Sequence, residues 1–393
     1  MTALRLREAG PARDVTLSAE QARRLAAARV VEVRPGAAPG TWTVRADRAV
    51  GAARVGDVEL RIEPKVPVAR LLFLLGYARD PVAWRQETLE LPEHPELVSA
   101  IAATLWRQVD RALRGGLLYG YQEVEDTAQV LRGRLREAEQ MGRRFGAPLP
   151  LEIRHDEYTV DIPENQILAT ALNRLVHLPG VDSPTRAMLR HQSQRFVDIT
   201  RLRAGRPPSW RPSRLNARYH LALRLAELVL AGTSMESGLG GVATNGFLVD
   251  MPAVFEDFLS VALRQSLTAR HGGRVTFQAA GHLDLAHRIA LRPDLLWRHR
   301  GRTAAVIDAK YKAYTPAADA YQMLAYCTVY DLRRGHLVYV TGKHPPTRHV
   351  VRHVGTEIVC HALDLALPVP DLLARVDRIA DEIAGTTGTQ QTQ

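Results

Sequence analysis

The chain has 393 residues, 46% hydrophobic and 24% charged, which is enough for two globular domains with cores of their own. Its 52 Lys and Arg against 42 Asp and Glu leave a formal charge of +10, which suits a polyanionic partner. Two cysteines exclude a disulfide framework, the N-terminus lacks the apolar segment of a signal peptide, and no apolar run approaches the ~20 residues of a membrane span. A soluble, cytoplasmic, non-membrane protein is therefore expected.

Residues 1–66 read as a strand-rich N-terminal domain. Val30–Val33, Trp42–Arg45 and Val58–Ile62 are short alternating runs with glycine and proline between them. One helix is expected at Ala19–Ala28, where Ser18 followed by Gln21 makes a capping box. Residues 67–231 form a mainly helical middle region. Val68–Tyr77, Glu96–Arg114, Asn165–Leu178, Ser183–Arg195 and Asn216–Leu230 carry apolar residues at helical spacing. Tyr121–Arg136 and Leu149–Val160 are less regular, with a strand possible at Leu151–Arg154. Arg143, Arg144, Arg201, Arg203 and Arg206 are read as solvated, with some of them tracking phosphates. The glycine-rich run from Gly232 to Gly246 is read as a loop or hinge. Residues 247–384 then read as helix, three strands, helix, strand and a final strand or loop before a last helix at Leu372–Ile383. That order gives a mixed sheet flanked by helices, an α/β (α+β overall) architecture. The polar tail 385–393 is expected to be disordered.

The chemistry concentrates in Leu291–Trp297 and Val306–Tyr311. Two apolar strands are joined by the basic turn Arg298–Arg302, with Asp294 seven residues before Gly301 and Asp308 seven after it. A hairpin centred on Gly301 sets the two carboxylates opposite each other, with Cβ atoms ~4.5–5.5 Å apart. Lys310, two residues beyond Asp308, shares its face. Mg²⁺ takes one or two carboxylates, waters and substrate phosphate, so Asp294 and Asp308 are metal ligands on this reading, with the Ala309 carbonyl a further one. Lys310 orients or deprotonates a water, or stabilises the transition state of phosphodiester hydrolysis. Asp-x-Lys alone is common on solvated strands. The apolar run Ala304–Ile307 entering Asp308 argues for burial, where unpaired charges are costly. Only four of the 52 basic residues are lysines, so a lysine here points to a group that can lose its proton.

Upstream, Pro252–Leu267 is helical by pattern. It places Glu256 on its first turn, where the acid reaches the metal or complements the helix dipole. Downstream, Gln322 and Tyr326 lie four apart on one helix face, to contact substrate or steady the site. Gln278 and Asp284 lie near the site in sequence. Asp284 rivals Asp294 as first acid but fits the hairpin symmetry less well. His344, His349 and His353 read as loop residues. No Gly-x-x-x-x-Gly-Lys-Ser/Thr loop occurs; Thr341–His344 is the nearest fragment, so this chain binds no nucleotide.

The order Glu256, Asp294, Asp308-x-Lys310, Gln322-x-x-x-Tyr326 resembles the PD-(D/E)xK nuclease superfamily in its branch with a Gln-x-x-x-Tyr element. The segments RPDLLW, VIDAKYK and YQMLAY (from Arg292, Val306 and Tyr321), together with Arg61–Val66, Arg70–Tyr77, Leu131–Leu135 and Glu164–Leu168, are similar to the McrC family over residues 15–345. McrC proteins are the nuclease subunits of McrBC-type modification-dependent restriction systems. The resemblance implies Mg²⁺, with Mn²⁺ possible, and double-stranded, modified DNA as substrate. It also implies a McrB-like AAA+ GTPase hexamer as partner, docked through the N-terminal domain. Alternative readings are a non-catalytic activator of the GTPase ring and a stand-alone nuclease.

Overall fold

The computed structural model describes residues 2–85, 96–203, 207–232, 244–312, 316–340 and 347–388. The chain falls into two compact units, Met1–Leu97 with Met235–Gln393, and Val98–Ser234.

The N-terminal part of the first unit runs β1 (Thr2–Arg7), β2 (Arg13–Thr16), α1 (Ala19–Ala27), β3 (Val31–Pro35), β4 (Thr41–Ala46), β5 (Ala49–Val55), β6 (Val58–Glu63), α2 (Val68–Arg79) and α3 (Pro81–Arg85). The capping box forms as expected: Ser18 Oγ accepts the Gln21 N–H at 3.1 Å and Gln21 Oε1 accepts the Ser18 N–H at 2.9 Å. β2, β4 and β3 make a three-stranded antiparallel sheet. β1 pairs in parallel with β6, and β6 antiparallel with β5.

The second unit holds α4 (Leu97–Ala112), β7 (Gly120–Ala128), β8 (Arg134–Leu135), α5 (Glu137–Arg143), β9 (Leu151–Thr159), α6 (Pro163–His177), α7 (Ser183–Ser193) and α8 (His220–Gly232). α6 buries Ile167, Leu168 and Leu172 and packs on α7 and α8. β7 and β9 pair over their whole length, from Gly120 opposite Thr159 to Ala128 opposite Leu151. Their sequence gives little sign of this because the outward face carries Glu123 and Glu125 and the inner face alternates Gln122 with Val124. Arg143 and Arg144 lean on the buried Glu152 at 3.6 and 3.2 Å, so these two arginines serve the unit's own carboxylate.

The first unit resumes with β10 (Thr244–Asp250), α9 (Met251–His271), β11 (Arg274–Phe277), β12 (Gly281–His282), β13 (Ala290–Leu291), β14 (Leu295–His299), β15 (Arg302–Lys310), α10 (Pro316–Val329), β16 (Arg334–Tyr339), β17 (Thr347–Val350), β18 (Glu357–Ala362) and α11 (Val369–Gly388). A six-stranded mixed sheet has the order β11-β14-β15-β16-β18-β17, with parallel pairs β15–β16 and β16–β18. α10 covers one face, where Met323, Tyr326 and Cys327 pack on Val306, Leu337 and Cys360. On the other face Phe255 of α9 meets Tyr311, and Glu382 of α11 meets His361. Both cysteines are buried, and they are not joined in a disulfide. Among the described residues no helix is long and apolar enough to cross a membrane.

Three expectations about extent need correction. Residues 1–97 join the C-terminal part in one unit, whereas the sequence suggested a break at 66/67 and a separate N-terminal domain. The strand-to-helix change there is a change of pattern and not of packing. β10 adds to β5 as a fourth strand, and α2 packs on α9, with Tyr77 against Phe258 at 5.4 Å and its hydroxyl donating to Gln265 Oε1 at 2.8 Å. Residues 385–388 continue α11 instead of starting a disordered tail; 389–393 lie outside the described residues. Of the glycine-rich run, 233–243 also lie outside them, as do Arg206 and Thr341–His344, while 244–246 belong to β10.

The β5–β10 junction depends on Gly51. Its φ is +128°, and a Cβ there would lie 2.0 Å from the Phe247 carbonyl oxygen. Gly51→Ala is expected to destabilise the chain by about 1–3 kcal/mol, the usual range for forced overpacking. A urea-denaturation midpoint equal to that of wild type would show that the strands do not approach this closely.

Candidate active site

The acids are set opposite each other by a turn and a bulge acting together. Arg300 and Gly301 occupy a two-residue turn with φ of +50° and +78°, the handedness that suits a twisted hairpin. His299 faces Arg302 and Arg298 faces Thr303, then Trp297 faces Ala305, so Ala304 is an extra residue on β15. Beyond it Leu295 faces Ile307, and one further step sets Asp294 opposite Asp308. A hairpin centred on Gly301 gives the same pairing, although the turn itself is centred between Arg300 and Gly301.

Asp308 is buried at 3% exposure, at the end of the buried strand Ala305–Ile307. Its Oδ2 is ion-paired with Lys310 Nζ. Asp294 Oδ2 accepts the Ala309 N–H at 2.7 Å. In an extended strand the N–H and C=O of one residue leave on the same edge, so the Ala309 carbonyl faces the Asp294 side.

From Lys310 hydrogen bonds lead through Gln322 and Tyr326 to the Arg292 backbone carbonyl, and the Arg292 side chain starts a second series that ends at Glu256. Lys310 Nζ donates to Gln322 Oε1 at 2.8 Å, and Gln322 Nε2 to the Tyr326 hydroxyl at 2.9 Å. The Tyr326 hydroxyl donates to the Arg292 carbonyl at 3.2 Å. Arg292 Nη2 donates to Gln278 Oε1, and Gln278 Nε2 to Glu256 Oε1 at 2.7 Å. The first series starts at a cation on β15 and crosses one face of α10, and the second ends at a carboxylate on α9. These bonds connect Lys310, Gln322, Tyr326, Gln278 and Glu256, all singled out in the sequence.

The electrostatics of the site favour a cation. Burial, then the neighbouring Asp308 charge, push the Asp294 carboxyl up to about 8, and Glu256 adds to the effect. Burial and the same two aspartates push the Tyr326 hydroxyl up to about 12. Lys310 alone does not balance the carboxylates. Two carboxylates and a backbone carbonyl form an oxygen donor set of the kind Mg²⁺ accepts alongside water and phosphate. Glu256 is placed apart from that set. It is the sixth residue of α9, beyond the first turn expected for it, and its Oε1 is held by Gln278. Among the described residues no three His, Cys, Asp or Glu side chains converge closely enough to enclose a metal.

Sequence reasoning missed Arg292, which enters through both its backbone carbonyl and its guanidinium, and Asp319. Asp319 is buried at 5% and accepts from Lys312 Nζ at 2.9 Å and from the Tyr339 hydroxyl at 2.7 Å, with Lys310 Nζ 3.9 Å away. The scarcity of lysine was the available signal: Lys310 and Lys312, two of only four lysines, both address this carboxylate. Asp284 is spent elsewhere, on backbone N–H groups of its own loop.

The family model described as McrBC 5-methylcytosine restriction system component matches residues 44–340. Among solved structures the chain is similar to a refined half-complex from a tetradecameric assembly of Thermococcus gammatolerans McrB AAA+ hexamers with bound McrC. The identity is 18% and the TM-score 0.63, over 97% of this chain and 100% of that chain, and the likeness is one of fold. A cryo-EM structure of the Thermococcus gammatolerans McrBC complex matches at 20% identity and TM-score 0.40, over 68% of this chain and 88% of that chain. A comparison with curated proteins finds no match.

Proposed function

The chain belongs to the McrBC 5-methylcytosine restriction system family, and from that premise we propose that it is the endonuclease subunit of such a system. It hydrolyses phosphodiester bonds of double-stranded, modified DNA with Mg²⁺, or Mn²⁺, at a PD-(D/E)xK site. The observation that carries this reading is the pair of adjacent aspartates, with Asp308 ion-paired to Lys310, Asp294 accepting the Ala309 N–H, and Lys310 held in turn by Gln322 and Tyr326.

Asp294, Asp308 and the Ala309 carbonyl would hold the metal, which when bound supplies Lewis acidity and offsets charge on the scissile phosphate. Lys310, carried between Asp308 and Gln322, orients the attacking water and meets charge developing on the phosphoryl oxygens. Gln322 and Tyr326 fix the direction of the lysine side chain. Glu256, through Gln278, fixes Arg292 and hence the approach to Asp294. The sequence has no phosphate-binding loop, so GTP hydrolysis is assigned to an AAA+ partner of the McrB kind, the protein named beside McrC in the similar half-complex.

The test is plasmid cleavage in Mg²⁺ and GTP with and without the GTPase, comparing wild type with Asp308→Ala. The expected result is cleavage by the wild-type complex only, with GTP hydrolysis stimulated equally by both chains. Cleavage by Asp308→Ala would move the active site elsewhere. Stimulated GTP hydrolysis with no cleavage of modified DNA by either chain would leave the activator reading in its place.

A further inference from the structure

Ahead of Asp294 in the chain lies a short second hairpin, β12–β13. Arg274 faces Arg298 and Phe277 faces Leu295, while the Gln278 N–H donates to the Asp294 carbonyl at 2.9 Å. Gly281 then faces Leu291, and the Leu283 N–H donates to the Ile289 carbonyl at 2.9 Å. The two ladders keep the same register across a break at residues 278–280, where Gln278 takes a φ of +44° and the pairing passes from the six-stranded sheet to the separate β12–β13 hairpin; Asp294 lies in the arm that leads back from its tip. Asp294 and Ile289 are five residues apart, a reach of at most about 17 Å at the rise of a strand.

The tip is built to hold its shape. Asp284 Oδ1 accepts the N–H groups of Arg288 and Ile289 at 2.9 and 2.8 Å, and the His287 N–H donates to the Asp284 carbonyl at 3.2 Å. His287 takes a φ of +55° to close the loop. The His282 and His287 rings meet edge to face, Nδ1 to Nδ1 at 2.9 Å.

What this fixed loop displays is apolar. Leu285 at its apex is completely exposed at 102%, with Leu283 at 42% and Ile289 at 52% beside it. Arg288 and Arg292 are exposed, and the one acid in residues 281–292, Asp284, turns its charge onto the loop's own N–H groups. An apolar apex on a cationic base, continuous with a phosphodiester-cleaving site, fits a polyanion with an apolar interior.

We propose that this tip is a DNA wedge: Leu285 enters the minor groove of the duplex held at Asp294 and Asp308 and slips between base steps, while Arg288 and the His282–His287 pair meet the flanking phosphates. Apolar side chains used in this way unstack a step and bend the duplex, and Arg contacts hold the backbone on either side. A bend would present the scissile phosphate to the acids and would explain an internally hydrogen-bonded loop that exposes leucine to water. The proposal rests on the nuclease reading.

The test uses the full chain with its GTPase, in Ca²⁺ so that binding is read without cutting, on a modified duplex carrying 2-aminopurine. Wild type is expected to raise 2-aminopurine fluorescence as the base unstacks. Leu285→Ser is expected to lose that rise and bind about tenfold more weakly, the loss of one buried leucine side chain, with an unchanged melting temperature. Arg288→Ala should weaken binding and lower the salt-dependence slope by about one. Full unstacking and unchanged affinity in Leu285→Ser would overturn the wedge, as would a wild-type complex that binds no duplex. So would a loss of GTPase stimulation with DNA binding intact, which would make the tip a protein contact. Failure of the nuclease reading would look different: wild type would unstack the duplex in Ca²⁺ and fail to cut it in Mg²⁺.

Discussion

Lys310→Ala is expected to lower DNA cleavage by the assembled complex about 100-fold or more while leaving GTP hydrolysis stimulated as by wild type. The size follows from the position of the ammonium. A charged donor preorganised beside a reacting phosphate contributes far more than a surface charge, and loss of one such donor typically lowers the rate by ~10²–10³. Lys310 is preorganised in this sense because Asp308 and Gln322 Oε1 hold it from two sides. Lys310→Arg should not restore the rate: guanidinium keeps its proton and its planar fork does not fit a cradle made for a point charge. Gln322→Ala, which frees the lysine without removing it, should give a smaller loss of about tenfold, within the range for a positioning group. Single-turnover cleavage of a modified duplex separates these values. A Lys310→Ala complex that cuts within threefold of wild type would remove the lysine from the chemistry.

The strand that carries the candidate site was legible because its residues are unusual for where they sit. Asp308 and Lys310 follow an apolar run that only a buried strand explains, and the structure buries it. The facing of Asp294 and Asp308 was legible for a partly accidental reason, since the bulge at Ala304 restores the symmetry that the two-residue turn breaks. Gln322 and Tyr326 follow from helical spacing alone. Backbone groups and distant partners were not legible. The Arg292 carbonyl accepts from Tyr326, and no side-chain pattern announces a carbonyl. The addition of β10 to β5 joins residues nearly two hundred positions apart, and only the close approach at Gly51 records it. β7 escaped, and β9 was read only over Leu151–Arg154, because their pairing holds charged and half-buried residues where a clean apolar alternation would have marked strands.

The stability of the metal-free chain should fall as pH rises, and Asp294→Asn should abolish much of that fall. The Asp294 carboxyl sits at about 8, against the ordinary 3.8, because it is buried and faces Asp308. Between those two values the folded chain keeps a proton that the unfolded chain has released. The folded state thus binds more protons, and unfolding becomes easier with each step up in pH. The penalty is absent below 3.8, grows across the window and is complete above about 8. A divalent cation bound by Asp294 and Asp308 would reverse it, since the charge that destabilises the metal-free chain is the charge that would bind the ion. The gain in melting temperature on adding Mg²⁺ should therefore be larger at pH 8.5 than at pH 6, where binding must first displace the proton. Asn at 294 keeps the shape and removes the charge. At pH 8.5 without metal, that variant should melt about 2–4 °C above wild type, a shift matching a change of roughly 1 kcal/mol in a chain of a few hundred residues. It should also gain nothing from Mg²⁺. Equal pH slopes for the two proteins, measured by thermal melting in chelator, would mean that Asp294 is already charged in the folded chain and that the two aspartates do not compete for a proton. A Mg²⁺ shift that survives Asp294→Asn would place the ion on Asp308 with other ligands.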